Sequence, residues 1–166
     1  MLVTLRPAVA ADRFMIRRWL GEPDVRTWWG NRAAAEAAIS IALDSPSTLC
    51  RIISVGDIAV GYGHAMDVEI ETGSNRHKGI PVGTYAINLF VAHAEHRGSG
   101  VGAKALQLLA AEAFATTLAP ACTIMVAIRN EKMVRALEKQ GFKWSSIRTD
   151  RLIGPQWVMV LHRPGG

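Results

Sequence analysis

The segment from Thr84 to Leu118 constrains the fold more than any other part of this 166-residue chain. Its first part, Tyr85 to Val91, is apolar and rich in β-favouring residues, which predicts a mostly buried strand. A polar connection and the glycine-rich run 97–102 follow. Residues 103–117 contain neither glycine nor proline and are rich in alanine and leucine, which predicts a helix. This order presents backbone N–H groups at a helix N-terminus, where they favour an anion and above all a phosphate.

The order of the glycines narrows the kind of phosphate loop. The run lacks the Gly-Lys-Ser/Thr ending of a P-loop, and it does not have the Gly-x-Gly-x-x-Gly spacing of dinucleotide-binding folds. It does match Arg/Gln-x-x-Gly-x-Gly/Ala, present here as Arg97-Gly98-Ser99-Gly100-Val101-Gly102. This run is similar to the acetyl-CoA pyrophosphate loop of the GNAT N-acetyltransferase superfamily. Three glycines alone are equally typical of an ordinary tight turn.

A second segment resembles the same superfamily. Residues 130–142, from Asn130 through Leu137 to Gly141-Phe142, are similar to the GNAT pattern Asn-x-x-Ala-x-x-x-Tyr-x-x-x-Gly-Phe. On both motifs the chain is identified as a member of this superfamily, with a single GNAT domain over residues 1–166. The resemblance implies an α/β fold with a mixed, mostly antiparallel sheet of about seven strands. It also implies helices on both faces of the sheet and a splayed central strand pair.

The remaining elements follow from periodicity and turn residues. Further strands are predicted at 2–6, 48–55, 58–71, 121–128, 143–151 and 156–162, and further helices at 11–20, 32–43 and 131–140. A short helical piece is predicted to start within 25–30, and Asn31 is predicted to cap the helix that follows it. This order of elements is an α/β pattern, and it is also the GNAT order.

Composition limits the class of protein. The net charge is +5, but the basic residues are scattered without runs or interleaved aromatic residues, so nucleic-acid binding is not expected. Neither a signal peptide nor a membrane span is expected, because no apolar segment is long and uninterrupted. Cys50 and Cys122 fall in predicted buried strands, which fits a protein of the reducing cytoplasm. No residues have the spacing of a zinc site, so no metal is expected.

The resemblance implies acetyl-CoA as cosubstrate, with its acetyl group passing directly to an amine. It implies that the pantetheine arm pairs with Phe90 and Val91 like an added strand and that Asn130 reaches this arm. The residues implied for the pyrophosphate are Arg97, Gly98, Ser99, Gly100, Val101, Gly102 and Ala103. A tyrosine often protonates the departing thiolate in the family, and Leu137 stands at that position here. Tyr62 or Tyr85 could substitute for it, although core packing is the more usual role of such residues.

The N-terminal half resembles the aminoglycoside 6'-N-acetyltransferase branch in the segment Val25-Arg26-Thr27-Trp28-Trp29-Gly30. In that branch a tryptophan of Trp-Trp-Gly helps to wall the substrate site, which implies this role for Trp28 and Trp29. Simple packing of neighbouring tryptophans is the alternative. The branch carries an acid on the central strand that contacts the substrate amine. Asn88 stands there in this chain, and we take it as a catalytic candidate.

Three acids alternate along the predicted strand 58–71 and would therefore share one face. They are Asp67, Glu69 and Glu71. Such a face would bind a cationic amine or take its proton through water, which makes Glu69 a candidate base and Asp67 a candidate substrate contact. A solvated outer face of an edge hairpin is the alternative. His64 lies on the opposite, apolar face of this predicted strand, so it is predicted to be a core histidine.

The predicted function is acetylation of a primary amine on a small molecule, with aminoglycosides as one possible class of substrate. A siderophore precursor or a protein amine stays open as the acceptor. A non-catalytic CoA-binding GNAT module is the alternative from another class, favoured by Leu137 and Asn88. A homodimer is also open, through an exposed end at residues 152–161.

Overall fold

The computed structural model describes residues 2–29, 32–72, 79–151 and 154–165. Its strands are β1 (Val3–Pro7), β2 (Leu49–Val55), β3 (Ile58–Asp67), β4 (Tyr85–Val91), β5 (Ala121–Ala127), β6 (Lys143–Asp150) and β7 (Gly154–His162). Its helices are α1 (Arg13–Leu20), α2 (Pro23–Trp29), α3 (Arg32–Asp44), α4 (Val68–Thr72), α5 (Val101–Thr116) and α6 (Glu131–Lys139). The predicted cap at Asn31 lies outside the described residues.

The strands form a sheet in the order β1-β2-β3-β4-β5-β7-β6, which confirms the predicted α/β class and the size of the sheet. The pairs β1/β2, β5/β7 and β6/β7 are antiparallel. The pair β4/β5 is parallel, and its register comprises only Tyr85 with Cys122 and Ala86 with Thr123. The predicted splayed pair is therefore confirmed, and the backbone of β4 beyond Ala86 is not paired with β5.

The prediction that Asp67, Glu69 and Glu71 share a strand face is wrong. Strand β3 ends at Asp67, and the next residues form the short helix α4. The side chain of Asp67 accepts a hydrogen bond from the N–H of Glu69 at 2.9 Å, which is the contact of a helix N-cap. The local bond between an aspartate and the backbone two residues later competes with the strand and ends it.

The prediction of an exposed end at residues 152–161 is also wrong. Strand β7 lies between β5 and β6 in the sheet, and Val158, Met159 and Val160 are buried. Residues 152 and 153 lie outside the described residues. The strands at the two edges of the sheet are β1 and β6.

The chain forms two compact units. The first comprises Met1–His64 and Asn88–Leu109, and one cluster of its core residues is Val3, Ile53, Val60, Val91, Val101 and Ala105. The second comprises Ala65–Ile87 and Ala110–Gly166, and one cluster of its core residues is Val68, Ile80, Ala86, Ala121, Val158 and Val160. The glycine-rich loop and the carboxyl end of β4 both belong to the first unit, where they contact each other.

Candidate active site

The glycine-rich loop leads directly into α5, whose first residue is Val101. Gly98 and Gly100 have φ angles of +80° and +87°, a left-handed conformation that residues with side chains rarely adopt. A Cβ atom at Gly100 would meet no other atom within 4 Å, so the space beside this glycine is open. Successive backbone N–H groups in such a turn can form a concave anion site.

The first turn of α5 adds donors and a favourable field at the same place. The helix makes its first hydrogen bond from the N–H of Lys104 to the carbonyl of Gly100, at 2.9 Å. The N–H groups of Val101 and Gly102 precede this bond, so the helix has no carbonyl for them. A helix of 16 residues also carries partial positive charge at this end. The loop and the first turn together therefore fit a pyrophosphate group.

The side chain of Arg97, at the start of the loop, is directed at protein groups. Its Nε donates to the carbonyl of Val91 and its Nη2 to the carbonyl of Ala92, both at 2.8 Å. Its Nη1 donates to the Oδ2 of Asp24 at 2.7 Å, which also forms an ion pair. The guanidinium thus joins the end of β4 to α2, a contact that the sequence alone does not show.

The carboxyl end of β4 is closely packed. Phe90 and Val91 are both buried. Strand β3 passes so close that a Cβ atom at Gly61 would clash with the carbonyl oxygen of Phe90. An isolated glycine within a strand pattern is the sequence signal for such an approach. The Nε1 of Trp29 donates to the carbonyl of Leu89 at 3.4 Å.

An aromatic cluster lies beside this strand end. Trp29 makes edge contacts with Phe90, His64 and Tyr62, at ring-centroid distances of 5.2, 5.8 and 6.3 Å. The hydroxyl of Tyr62 lies 2.8 Å from the Nδ1 of His64. Burial lowers the pKa of His64 to about 4 and raises the pKa of Tyr62. The lowered pKa leaves His64 neutral at pH 7, and the burial of His64 and Tyr62 confirms that both are core residues.

The predicted acceptor-side residues fall in different units. Trp29 and the half-buried Asn88 belong to the first unit, whereas Asp67 and the exposed Glu69 belong to the second. Trp28 belongs to α2, but its side chain is not among the described groups. Asp67 is engaged as the cap of α4.

The second motif has a structural role that the sequence predicts only in part. Asn130 caps α6, its Oδ1 accepting from the N–H of Met133 at 3.4 Å. Leu137 has 0% of its surface exposed, so the position of the family's tyrosine is filled by a core leucine. Tyr85 is also buried, within β4.

Sequence reasoning missed the acids that precede and begin α2. Asp24 binds Arg97, and the Oε1 of Glu22 lies 3.9 Å from the Nδ1 of His93 in the connection after β4. Acids at the first turn of a short helix are a visible signal, but they predict a favourable helix dipole and not a partner 73 residues away.

Two absences hold for the described part of the chain. Residues 2–29, 32–72, 79–151 and 154–165 contain no group of three or more His, Cys, Asp or Glu side chains that could hold a metal ion. Within the same ranges, no helix has the length and apolar character needed to cross a bilayer.

Solved structures of several acetyltransferases resemble this fold. The aminoglycoside acetyltransferase AAC(6')-Ib in complex with coenzyme A is 24% identical, with a TM-score of 0.79, over 98% of this chain and 95% of that one. An aminoglycoside N(6')acetyltransferase from Legionella pneumophila is 16% identical, with a TM-score of 0.73, over 96% and 91%. The spermidine N-acetyltransferase from Vibrio cholerae, in complex with CoA and spermine, is 13% identical, with a TM-score of 0.74, over 97% and 95%. At these identities the likeness establishes the fold.

The family is established by sequence. No curated protein matches the chain. Residues 8–148, which include the glycine-rich loop and the whole of α6, match the acetyltransferase (GNAT) domain. The protein therefore belongs to the GNAT acetyltransferase family.

Proposed function

We propose that this protein transfers the acetyl group of acetyl-CoA directly to a primary amine of a small cationic molecule, with aminoglycosides as the first class to test. The observation that carries the proposal is the loop from Gly98 to Gly102, left-handed at Gly98 and Gly100 and open beside Gly100, at the N-terminus of a 16-residue helix. Membership of the GNAT family supports the reaction class. The aminoglycoside and spermidine enzymes of the same fold support a cationic amine as the acceptor.

The backbone of the loop would hold the pyrophosphate. The donors would come from the turn at Gly98 to Gly100 and from the first turn of α5, where the helix dipole favours negative charge. The bound cosubstrate supplies an activated thioester. The residues from Gly98 to Ala103 are therefore assigned to cofactor binding. The side chain of Arg97, which was predicted with them, is directed at protein groups instead.

The end of β4 would align the reacting groups. Its backbone is not paired with β5 beyond Ala86, so Val91 can pair with an extended amide-containing chain as an edge strand would, next to the buried side chain of Phe90. The N–H of Val91 is the proposed donor to the developing oxyanion, a role that needs no particular side chain. The contact of Asn130 with the cofactor arm stays a prediction, since Asn130 belongs to the second unit.

The acceptor amine arrives as an ammonium and must lose a proton before it can attack. The buried neutral His64 has its Nδ1 engaged with Tyr62, so we assign it no base role. Asn88 would accept a hydrogen bond from the amine, and solvent water would remove the proton. Glu69 does not share a strand face with Asp67, so only its negative charge still supports it as the base. Trp29, the last residue of α2, would form one wall of the acceptor site.

One observation favours a second candidate, a CoA-binding module without turnover. Leu137 is fully buried where the family often has a tyrosine, so it offers no acid to the departing thiolate. A thiol pKa of about 8.5 makes the thiolate a good leaving group near neutral pH without such an acid. The enzyme therefore remains the first proposal.

The test is CoA thiol release from acetyl-CoA across a panel of amines. The panel contains several aminoglycosides, spermidine, hydroxylated lysine derivatives and short peptides with free N-termini. Release with an aminoglycoside supports the proposal, and release only with another amine keeps the enzyme and replaces the substrate class. Tight CoA binding without release on any amine would establish the module instead.

A further inference from the structure

The three nitrogens of the Arg97 guanidinium all have partners within the first unit. Two of them bind the carbonyls of Val91 and Ala92, and the third binds the carboxylate of Asp24, at distances of 2.7 to 2.8 Å. The Arg97 side chain is 32% exposed, so its two bonds to the carbonyls form at a partly desolvated site, whereas Asp24 is 64% exposed. A guanidinium that binds protein groups through all three nitrogens has used its best-directed N–H groups on them.

Helix α2 is held against β4 at both ends. Asp24, in its first turn, binds Arg97, while Trp29, its last residue, donates to Leu89 and packs edge-on against Phe90. The Oε1 of Glu22, the residue before α2, lies 3.9 Å from the Nδ1 of His93 in the connection after β4. The last residue of the helix thus contacts β4 directly, and its first turn contacts the end of β4 through Arg97.

A helix of this length depends on such contacts for its position. Seven residues form two turns, which in isolation do not offset the cost of helix nucleation. The place of Trp29 is therefore set by what α2 touches. Asp24 and Arg97 form the polar contact at the end of the helix opposite to Trp29.

We propose that Arg97 is a positioning residue whose side chain holds α2, and through it Trp29, against the end of β4, while the backbone of the loop alone binds the pyrophosphate. This inference rests on the proposed function, and it assigns a determinant of acceptor binding to a residue of the cofactor motif. The ion pair between Asp24 and Arg97 then links the position of Trp29, the wall of the acceptor site, to the loop that follows Arg97.

The first test is Asp24→Asn, with Asp44→Asn as its matched control. Asp44 forms an exposed ion pair with Arg13 at 3.2 Å in the same unit, so the control also removes one charge and one pair. We expect Asp24→Asn to raise the acceptor KM about threefold to tenfold, with kcat and CoA affinity within about twofold of the wild type. Asp24→Glu should restore the acceptor KM, because it keeps the carboxylate. A wild-type acceptor KM in Asp24→Asn overturns the proposal.

A second test needs no turnover. The near-ultraviolet circular dichroism of Asp24→Asn should differ from the wild type with the same band shape as Trp29→Phe, because both disturb the ring contacts of Trp29. Asp44→Asn should keep the wild-type spectrum. If the wild type acetylates no amine, the proposed function fails, and this spectrum still decides the positioning role. An unchanged spectrum in Asp24→Asn overturns it.

The third test separates positioning from phosphate binding. Calorimetric titration of CoA into Arg97→Gln should give an affinity within about threefold of the wild type if only the backbone binds the pyrophosphate. In the double variant with Asp24→Asn, the spectrum should be no more altered than in Arg97→Gln alone, because both changes break one pair. A loss of CoA affinity of tenfold or more in Arg97→Gln, with a wild-type spectrum, overturns the proposal.

Discussion

The side chain of Arg163 should be a main support of the second unit. Its Nε, Nη1 and Nη2 donate to the carbonyls of Ala119, Phe114 and Thr117 at 2.9, 2.8 and 2.7 Å. Its Cζ also lies 5.2 Å from the centroid of the Phe114 ring. These carbonyls belong to the last turn of α5 and the chain just beyond it, where a helix leaves acceptors unpaired and favours positive charge. One side chain therefore completes the end of α5.

The loss on Arg163→Met can be built from these contacts. Three hydrogen bonds from a half-buried charged group at about 1 kcal/mol each, and a cation–π contact of about 0.5 kcal/mol, give about 3.5 kcal/mol. For a chain of this length, that corresponds to a fall in Tm of about 7 to 14 °C. Arg163→Lys should lose about two thirds of this amount, because an ammonium cannot reach all three carbonyls as a fork does.

The assay is urea unfolding followed by tryptophan fluorescence. Trp144 and Trp157 stack in the same unit, with ring centroids 4.6 Å apart, and report on its unfolding. Arg26→Met, at an exposed site on α2, serves as the control for loss of an arginine. A change below about 0.5 kcal/mol in Arg163→Met, equal to that of a surface substitution, would refute this account of the helix end.

Three further predictions concern the packing beside the candidate site and the start of α4. Gly61→Ala should lower the free energy of unfolding by about 2 kcal/mol, because its Cβ would clash with the Phe90 carbonyl; unchanged urea stability would contradict the close approach. Because the pKa of His64 is lowered to about 4 in the folded state, the unfolded chain takes up this proton first as the pH falls, and stability is lost between about pH 6.5 and pH 4. His64→Phe should therefore make the pH dependence of urea unfolding shallower in that window, and an identical slope would contradict a buried neutral histidine. Asp67→Ala should cost about 1 kcal/mol through loss of the α4 cap, measured against the exposed turn variant Asp57→Ala, and equal stabilities of the two variants would contradict the cap.

The elements that the sequence predicts well are those with strong local signals. The strand that ends at Val91 and the helix that follows the glycines were both predicted within two residues, because apolar β-favouring runs and long alanine-rich runs leave little choice. The helix at residues 68–72 was not predicted, because an alternation of acids with apolar residues fits a short helix as well as a strand. The cap at Asp67 and the burial of Val68 decide between the two structures there.

The candidate site was likewise predicted only where its local sequence signals are strong. The left-handed glycines of the loop follow from their order in the sequence, because only glycine is at ease in this conformation. The partners of Arg97 could not be predicted, since they depend on how α2 lies against β4. A local pattern shows that a residue is polar, but only the fold shows whether that residue meets a ligand, as proposed for the loop, or a neighbouring helix, as found for Arg97.

The most direct test of the central claim is calorimetric titration of acetyl-CoA into the wild type, Gly100→Ala and Gly154→Ala. Both glycines are left-handed, with φ of +87° and +90°, and neither would bring a Cβ within 4 Å of another atom, so the backbone strain of the two substitutions is matched. The account predicts binding to the wild type and to Gly154→Ala, and a loss of at least about tenfold in Gly100→Ala, because only that substitution disturbs the backbone donors of the loop. Equal affinities for the two variants would contradict a pyrophosphate site at the N-terminus of α5.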